Sequence, residues 1–323
     1  MYTTMTSPIA APAPTDAPNP SAAQLEDLEA TFGLFNIRMA DGAVVSARDT
    51  VAGLVQAPVL VALHGIGSGS ASWLELARIF NLQRRLLAWD APGYGESSPL
   101  AQAQPQATAY AQQLQRLLAA LSIGDFVLVG HSLGALSAAA FTASMVPGLI
   151  PRALVLISPA LGYGSAARVA EGQRVRAQRL ASIEDPGIAA MAAARYSHLL
   201  SAQASGNAKA WVHWNMARLQ PQGYRQATEL LCGDDLLRYC RAIEAQRQRK
   251  GSPLYRLPVH IWTGSADAIT TPSQCQQVAD VFSEPLGLIE GAGHACYVEQ
   301  PHAVAERLNQ VLATLSSTTA NGV

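Results

Sequence analysis

Short apolar runs alternate with stretches of helical periodicity over most of this 323-residue chain. Residues 34–39 and 44–50 flank an Ala-Asp-Gly turn at 40–42, and this arrangement predicts a β-hairpin. The continuous apolar run at 58–63 is typical of a strand buried on both faces of a sheet. Similar runs predict further core strands at 85–89, 126–129, 153–157, 259–263 and 286–289.

Helical periodicity fills several of the intervals between these strands. It predicts helices at 71–80, 106–121, 133–143 and 301–315. Strands that alternate with helices predict an α/β fold, in which a mostly parallel sheet is flanked by helices on both faces.

The segment 162–255 is helical in pattern throughout, without a convincing strand, and it is too long to be a loop in a compact domain. We expect it to be a helical cap inserted into a core formed by residues 21–161 and 256–323. Residues 1–20, rich in Pro, Ala and Thr, are expected to be disordered.

Composition and charge narrow the class of protein further. Hydrophobic residues make up 49% of the chain, and the net charge of -1 gives no basic excess for binding nucleic acid. No apolar run reaches the roughly 18 residues of a membrane span, and the N-terminus lacks the regions of a signal peptide. We therefore expect a cytoplasmic monomer or homodimer that acts on a small molecule and binds neither nucleic acid nor membranes.

The four cysteines have the spacing of neither a zinc site nor a disulfide framework. They are Cys232, Cys240, Cys275 and Cys296. Cys296 lies two residues after a candidate catalytic histidine, but we interpret it as a bystander. We expect no metal and no cofactor.

The main chemical signal is Ser132, in the sequence Gly-His-Ser-Leu-Gly at residues 130–134. This G-x-S-x-G pattern follows an apolar strand and opens a helix, which is the context of a nucleophilic serine on a tight turn. Small neighbours allow the strand and the helix to approach each other, and the helix N-terminus supplies positive potential for a developing oxyanion. Ser132 is therefore predicted to be the nucleophile.

A serine hydroxyl needs a general base, and the base needs a carboxylate to fix its tautomer. His294 follows the last core strand directly, at the sheet edge where catalytic groups gather, and Asp267 lies just past the strand at 259–263. The other histidines considered are less well placed; they are His198 and His213 in the cap, His260 within a strand and His302 at a helix start. The rival acids are Asp90, Asp234, Asp235 and Glu290.

The backbone N–H groups of Leu133 and Ile66 are predicted to stabilise the oxyanion. Ile66 belongs to the Gly-rich loop His-Gly-Ile-Gly-Ser-Gly-Ser at 64–70, where glycines leave room for an inward-facing amide. The same glycines could indicate a phosphate-binding loop, but neither a Walker A motif nor the G-x-G-x-x-G spacing is present.

Five segments together resemble the successive motifs of the α/β-hydrolase superfamily, over about residues 32–316. They are LHGIGSGSASW, WDAPGYGESSP, VGHSLG, GSADAITTP and GAGHACYVEQP. The order Ser132, Asp267, His294 is that of α/β-hydrolases. The cap sequence from Gln222 to Leu237 is similar to that of 3-oxoadipate enol-lactonases and related esterases.

The resemblance implies a serine hydrolase of carboxylic esters or (enol-)lactones that works through an acyl-enzyme. Hydrolysis of a C–C bond in a meta-cleavage product of aromatic catabolism is the alternative. Such enzymes typically carry Asn where this chain has His131, and a Gly-Gly-Pro-Gly loop where it has Gly65–Gly69. They also need a cation for the substrate carboxylate, for which the candidates are Arg168, Arg174, Arg176, Arg179 and Arg195. A non-catalytic binding module is the third hypothesis.

Substrate contacts are harder to predict than the catalytic residues. We name Trp73, Trp211 and Trp214 as candidates, with His213, Met216 and Tyr224 as further cap residues that could line an apolar pocket. Aromatic residues at helical spacing also form the core of a cap, and the sequence leaves that alternative open.

Overall fold

The computed structural model describes residues 17–50, 58–80 and 83–320. Within these residues eight strands form one sheet: β1 (Gly33–Arg38), β2 (Val44–Asp49), β3 (Val59–Leu63), β4 (Leu86–Trp89), β5 (Phe126–His131), β6 (Ala153–Ile157), β7 (Val259–Gly264) and β8 (Leu286–Ile289). Their order is β1-β2-β4-β3-β5-β6-β7-β8. The β1–β2 and β2–β4 pairs are antiparallel, and every other pair is parallel.

The sheet confirms the predicted hairpin and the six predicted core strands, with ends that differ by at most two residues. The central strands β3, β5 and β6 are buried along their whole length, as their uninterrupted apolar runs predict. β5 continues two residues past its apolar run because Gly130 and His131 pair with Leu156 and Ile157 of β6. This extension carries the chain to the edge of the sheet directly before Ser132.

Twelve α-helices lie in the described residues. They are α1 (Ala22–Thr31), α2 (Leu74–Phe80), α3 (Ala107–Ala120), α4 (Leu133–Ala143), α5 (Val169–Ser182), α6 (Ile188–Arg195), α7 (Gly206–Ala217), α8 (Pro221–Gly233), α9 (Leu236–Arg247), α10 (Pro272–Phe282), α11 (Cys296–Glu299) and α12 (Pro301–Ala320). The helix predicted at 71–80 begins instead as a 3-10 turn over Ser70–Trp73. There the Ser72 hydroxyl donates to Gly69 O at 2.7 Å.

Alternate residues of the central strands separate two hydrophobic cores, one on each face of the sheet. On β3, Val61 and Leu63 face the core that contains α3, α4, α9 and α10, whereas Leu60 and Ala62 face the core that contains α2 and α12. Helices therefore flank both faces, as predicted. Among the described helices, none combines the length and apolarity needed to cross a bilayer.

The segment between β6 and β7 contains helices α5 to α9 and, within the described residues, no strand. α5 packs against α8 and α6 against α7, whereas α9 packs against α4 and α10 of the sheet layer. The boundaries of the cap at residues 162 and 255 stay a prediction. The predicted disordered segment at 1–20 lies mainly outside the described residues, which begin at residue 17.

Candidate active site

Ser132 occupies the turn between β5 and α4, with φ 53° and ψ -116°. This is a strained conformation for a residue that carries a side chain. Three backbone hydrogen bonds hold the residue in place: its N–H donates to Ile157 O at 2.9 Å, and its carbonyl accepts from Ala135 N at 3.1 Å and Ala160 N at 3.2 Å. The side chain is thereby directed into a cavity at the carboxyl ends of the parallel strands.

Two glycines make this turn sterically possible. A Cβ atom on Gly134 would lie 2.3 Å from Leu63 O, so α4 reaches β3 only because the residue has no side chain. A Cβ atom on Gly65 would lie 2.9 Å from the Cβ of Ser132. The glycines predicted to be needed around the serine are therefore explained by close backbone contacts.

His294 and Asp267 lie in neighbouring loops at the same edge of the sheet, after β8 and β7. The Nδ1 atom of His294 is 2.9 Å from Oδ2 of Asp267. Because the carboxylate can only accept, Nδ1 carries the proton and Nε2 keeps its lone pair. His294 and Ser132 both line the cavity.

Asp267 is held as an anion by its hydrogen-bond donors. Its Oδ1 atom accepts from the N–H groups of Ile269 at 2.8 Å and Thr270 at 3.0 Å, and Oδ2 lies 3.0 Å from the Thr270 hydroxyl. Burial raises the pKa of this carboxyl group, but the charge and hydrogen bond of His294 and the two amide donors outweigh burial and lower the pKa to about 2. Asp267 is therefore ionised at neutral pH.

The rival acids have other partners. Asp90 accepts from the Ser46 hydroxyl at 2.9 Å and from Ser70 N at 2.8 Å. Asp234 accepts from Ala107 N, at the start of α3, and the side chain of Asp235 accepts from Leu237 N as the N-cap of α9. Glu290 is exposed. Among the described residues, Asp267 is the carboxylate that bonds to His294.

The other histidines take varied positions. His198 lies on a 3-10 turn and lines the cavity. His213 bonds to the backbone oxygen of Pro18, His260 lies within β7, and His302 is exposed at the start of α12.

His131 supports the site in a way that the sequence analysis missed. Its Nε2 donates to the carbonyl oxygen of His294 at 2.9 Å, and its ring packs against those of His294 and Tyr297. Burial, with a smaller effect from the charge of His294, lowers the pKa of His131 to about 3, so the ring is neutral. The signal was present in the sequence, because His131 directly precedes Ser132 at the end of a core strand.

The predicted oxyanion amides of Ile66 and Leu133 both belong to residues that line the cavity. Within the described residues neither amide donates a hydrogen bond. The Gly65 carbonyl accepts from His64 Nδ1 at 2.8 Å, and His64 Nε2 accepts from Ala91 N at 3.0 Å. Since the carbonyl and N–H of a trans peptide point in opposite directions, this bond turns the N–H of Ile66 away from His64. The sequence placed His64 in the Gly-rich loop but gave no indication of this role.

The cavity has a volume of about 140 Å³ and lies between the sheet edge and the helices that follow β6. Its walls are formed by the loop at 65–68, by Ser132 and His294 with their neighbours, and by residues of α5, α6, α7 and α8. Met216 and Tyr224 line it, as the sequence analysis considered. Arg168, Arg179 and Arg195 also line it, and the described residues of its lining include no Asp or Glu.

The three tryptophans proposed as substrate contacts are placed elsewhere. Trp73 is buried in the core, where it stacks on Tyr297 with 4.2 Å between ring centroids. Trp211 is buried in the same hydrophobic core, and Trp214 borders a separate groove, where the Arg218 guanidinium lies over its ring at 4.5 Å. The spacing of Trp211 and Trp214 on α7 therefore reflects packing, and none of the three tryptophans lines the cavity beside Ser132.

Cys296 is fully buried, and burial raises the pKa of its thiol. It is absent from the cavity lining, which agrees with its interpretation as a bystander. The described residues contain no group of three or more His, Cys, Asp or Glu side chains placed to hold a metal ion.

Known proteins with the same architecture include esterases and a lactonase. A relative from Cronobacter turicensis, provisionally named carbamate hydrolase RutD, is 26% identical over 262 residues, which cover 80% of this chain and 92% of the relative. The enol-lactonase from Burkholderia xenovorans LB400 superposes with a TM-score of 0.71 at 19% identity, over 86% of this chain and 100% of that chain. A thermophilic esterase from Thermogutta terrifontis gives a TM-score of 0.70 at 19% identity, over 87% and 98%.

The sequence model of the alpha/beta hydrolase family matches residues 60–307. This range includes every strand from β4 to β8 and all of the residues assigned to the candidate active site. The chain is a hydrolase and belongs to the α/β-hydrolase family.

Proposed function

We propose that this hydrolase cleaves a carboxylic ester or lactone through an acyl-enzyme, with Ser132, His294 and Asp267 as its catalytic triad. The observation that carries the proposal is the His294 Nδ1–Asp267 Oδ2 hydrogen bond of 2.9 Å beside a cavity that Ser132 also lines. A base oriented by a buried carboxylate, next to a serine on a strained turn, is the arrangement that activates a hydroxyl group.

In the proposed first step, Nε2 of His294 takes the proton of the Ser132 hydroxyl while Oγ attacks the carbonyl carbon. The N–H groups of Ile66 and Leu133 stabilise the negative charge on the carbonyl oxygen. The tetrahedral intermediate collapses, and His294 protonates the alkoxide leaving group, so that an acyl-Ser132 ester remains. His294 then removes a proton from water, which attacks the acyl group, and returns this proton to Oγ of Ser132 as the ester bond breaks. The carboxylic acid product leaves and ionises in solution.

The test uses purified Ser132→Ala, with Ser137→Ala as its matched control. Ser137 is a buried serine within α4, more than one turn after Ser132, which directly precedes the helix. We expect Ser132→Ala to lose p-nitrophenyl acetate hydrolysis by about 10³-fold or more and to lose labelling by a fluorophosphonate, because no nucleophile remains. Ser137→Ala should keep both. Hydrolysis at the wild-type rate by Ser132→Ala would refute the proposal, and failure of the wild-type protein to react with the probe would favour the non-catalytic binding module.

C–C bond hydrolysis is a second candidate, because Arg179 and Arg195 line the cavity and could serve as the cation that such a substrate requires. The same nucleophile and oxyanion site would act on either carbonyl. The name of the RutD relative suggests that a carbamate should be compared as a third class of substrate. Relative kcat/KM for a half-ester, a lactone, a carbamate and a ring-cleavage product would rank these bonds, and a higher value for the ring-cleavage product would contradict ester or lactone specificity.

A further inference from the structure

Two arginines without acidic partners line the same cavity as Ser132. Arg179 lies near the C-terminal end of α5, and Arg195 is the last residue of α6. Within the described residues no carboxylate oxygen lies within 4.0 Å of either guanidinium. The positive charge of Arg179 and Arg195 is therefore not neutralised by an ion pair with any described residue.

The neighbouring arginines show that acidic partners are available in this region. Arg168, which also lines the cavity, pairs with Glu171 at 3.1 Å. One turn before Arg179 on the same helix, Arg176 pairs with Glu229 at 2.6 Å. Arg179 follows these paired arginines in the sequence, yet among the described residues it has no carboxylate of its own within 4.0 Å.

The hydrogen bonds of Arg179 leave part of its guanidinium unused. Its Nη1 atom donates to the Tyr224 hydroxyl at 2.9 Å, whereas its Nε atom is buried without a partner among the described residues. A buried N–H without an acceptor destabilises a protein, since the water lost on folding is not replaced. Arg179 itself lines the cavity, so the rest of its guanidinium can bind an acceptor that a ligand supplies.

The two arginines also repel each other. Burial, and then the positive charge of Arg179, lower the pKa of Arg195. Uncompensated like charges in a partly buried site are unfavourable for folding and are common where an anion binds. Planar guanidinium groups match the geometry of a carboxylate.

We propose that Arg179 and Arg195 form a subsite for a free carboxylate of the substrate, so that the natural substrate is an acidic ester or lactone. This inference rests on the proposed function, because it concerns the compound that Ser132 attacks. The subsite would hold one end of a dicarboxylic half-ester while the ester carbonyl lies against Ser132 and the amides of Ile66 and Leu133. Binding at the remote end would orient the reacting carbonyl.

The test compares two esters that differ in one terminal group. Mono-p-nitrophenyl glutarate and p-nitrophenyl pentanoate share the leaving group and the length of the acyl chain, but only the first carries a carboxylate. We expect the wild-type protein to prefer the glutarate ester in kcat/KM by about tenfold or more. Arg179→Gln and Arg195→Gln should each reduce this preference by about tenfold, mainly through a higher KM for the glutarate ester.

Arg176→Gln is the matched control, because it removes a paired arginine of the same helix that does not line the cavity. It should keep the wild-type preference. Arg179→Lys should keep part of it, because the charge remains. An unchanged preference in both Gln variants, or a wild-type protein that favours the pentanoate ester, would overturn the subsite.

A second measurement needs no variant and remains decisive if the Gln proteins do not fold. Glutarate should inhibit the wild-type protein competitively, whereas 1,5-pentanediol, which has the same chain length without charge, should not. Equal inhibition by the two compounds would overturn the subsite. Failure of the proposed function is distinguishable, since the wild-type protein would then hydrolyse neither ester and would not react with a fluorophosphonate.

Discussion

The substitution Asp267→Asn tests whether the proposed triad needs the negative charge of Asp267, because it removes this charge with almost no change in side-chain volume. The two amide donors, from Ile269 at 2.8 Å and Thr270 at 3.0 Å, must keep an acceptor, so the new amide oxygen has to face them. Its NH₂ group then faces Nδ1 of His294. Because that group donates, Nδ1 must become an acceptor and the imidazole proton must move to Nε2.

This tautomer cannot accept a proton from Ser132. We therefore expect kcat to fall on the order of 10³- to 10⁴-fold while KM changes little, because the substrate cavity keeps its shape. The loss should be largest near neutral pH. At high pH, where hydroxide can act as the base, part of the rate should return.

The same variant should be less stable, by an amount that depends on pH. The pKa of Asp267 falls from its usual value of 3.8 to about 2 on folding, and a difference of nearly two units is worth roughly 2 kcal/mol. A carboxyl group with a lowered pKa contributes this stability above its unfolded pKa and loses it as the pH falls through the folded value. The stability difference between the two proteins should therefore be full above about pH 5 and shrink between about pH 4 and pH 2.

The assay measures kcat and KM with a p-nitrophenyl ester, together with urea unfolding between pH 3 and pH 7. Asp49→Asn is the matched control, because this buried carboxylate bonds to Arg85 at 2.6 Å on the edge of the sheet away from the cavity. It should lose stability and keep kcat within about threefold of the wild type. If Asp267→Asn retained the wild-type kcat, or if Asp49→Asn lost as much, the assignment of Asp267 to the triad would be refuted.

Two further predictions concern residues behind the catalytic groups. In steady-state kinetics, His131→Ala should lower kcat by about tenfold with little change in KM, because it removes the donor to the backbone carbonyl of His294. His131→Asn retains a donor and should recover part of the loss. Equal rates for the two variants would contradict this positioning role. Trp73→Leu should lower the free energy of unfolding, measured in urea, by about 2–4 kcal/mol, because it removes the stack on Tyr297. The preference among ester acyl groups should not change. An altered preference at unchanged stability would indicate that Trp73 contacts the substrate.

Local sequence carries most of the information about the sheet and about the catalytic candidates. A strand buried on both faces appears as an uninterrupted apolar run, and the turn after such a strand lies at the active edge of a parallel sheet. Ser132 follows such a strand, β5, whereas Asp267 follows β7 and His294 follows the partly exposed edge strand β8. Their proximity follows from topology once these parallel strands are known.

Two helices that hydrophobic periodicity did not predict, α1 and α10, carry another signal in the sequence. α1 and α10 begin with capping boxes, in which Ser21 pairs with Gln24 and Thr271 with Gln274. This S/T-x-x-Q spacing is visible in the sequence. Hydrophobic periodicity did not indicate α1, because Leu28 is the single buried residue of this helix and its amphipathicity is therefore weak.

The cap behaves differently, because the role of a side chain there depends on which helix packs beside it. Arg176 and Arg179 lie one turn apart on α5, yet Arg176 forms an ion pair with Glu229 of α8, whereas Arg179 donates a hydrogen bond to the hydroxyl of Tyr224 on that helix. The bonded residues of the two helices are more than forty positions apart in the sequence, which hides this difference from any local pattern. Charge that is left unpaired after folding is a property of the packed helices, and it is this property that distinguishes a residue able to select an acidic substrate from one that holds the cap together.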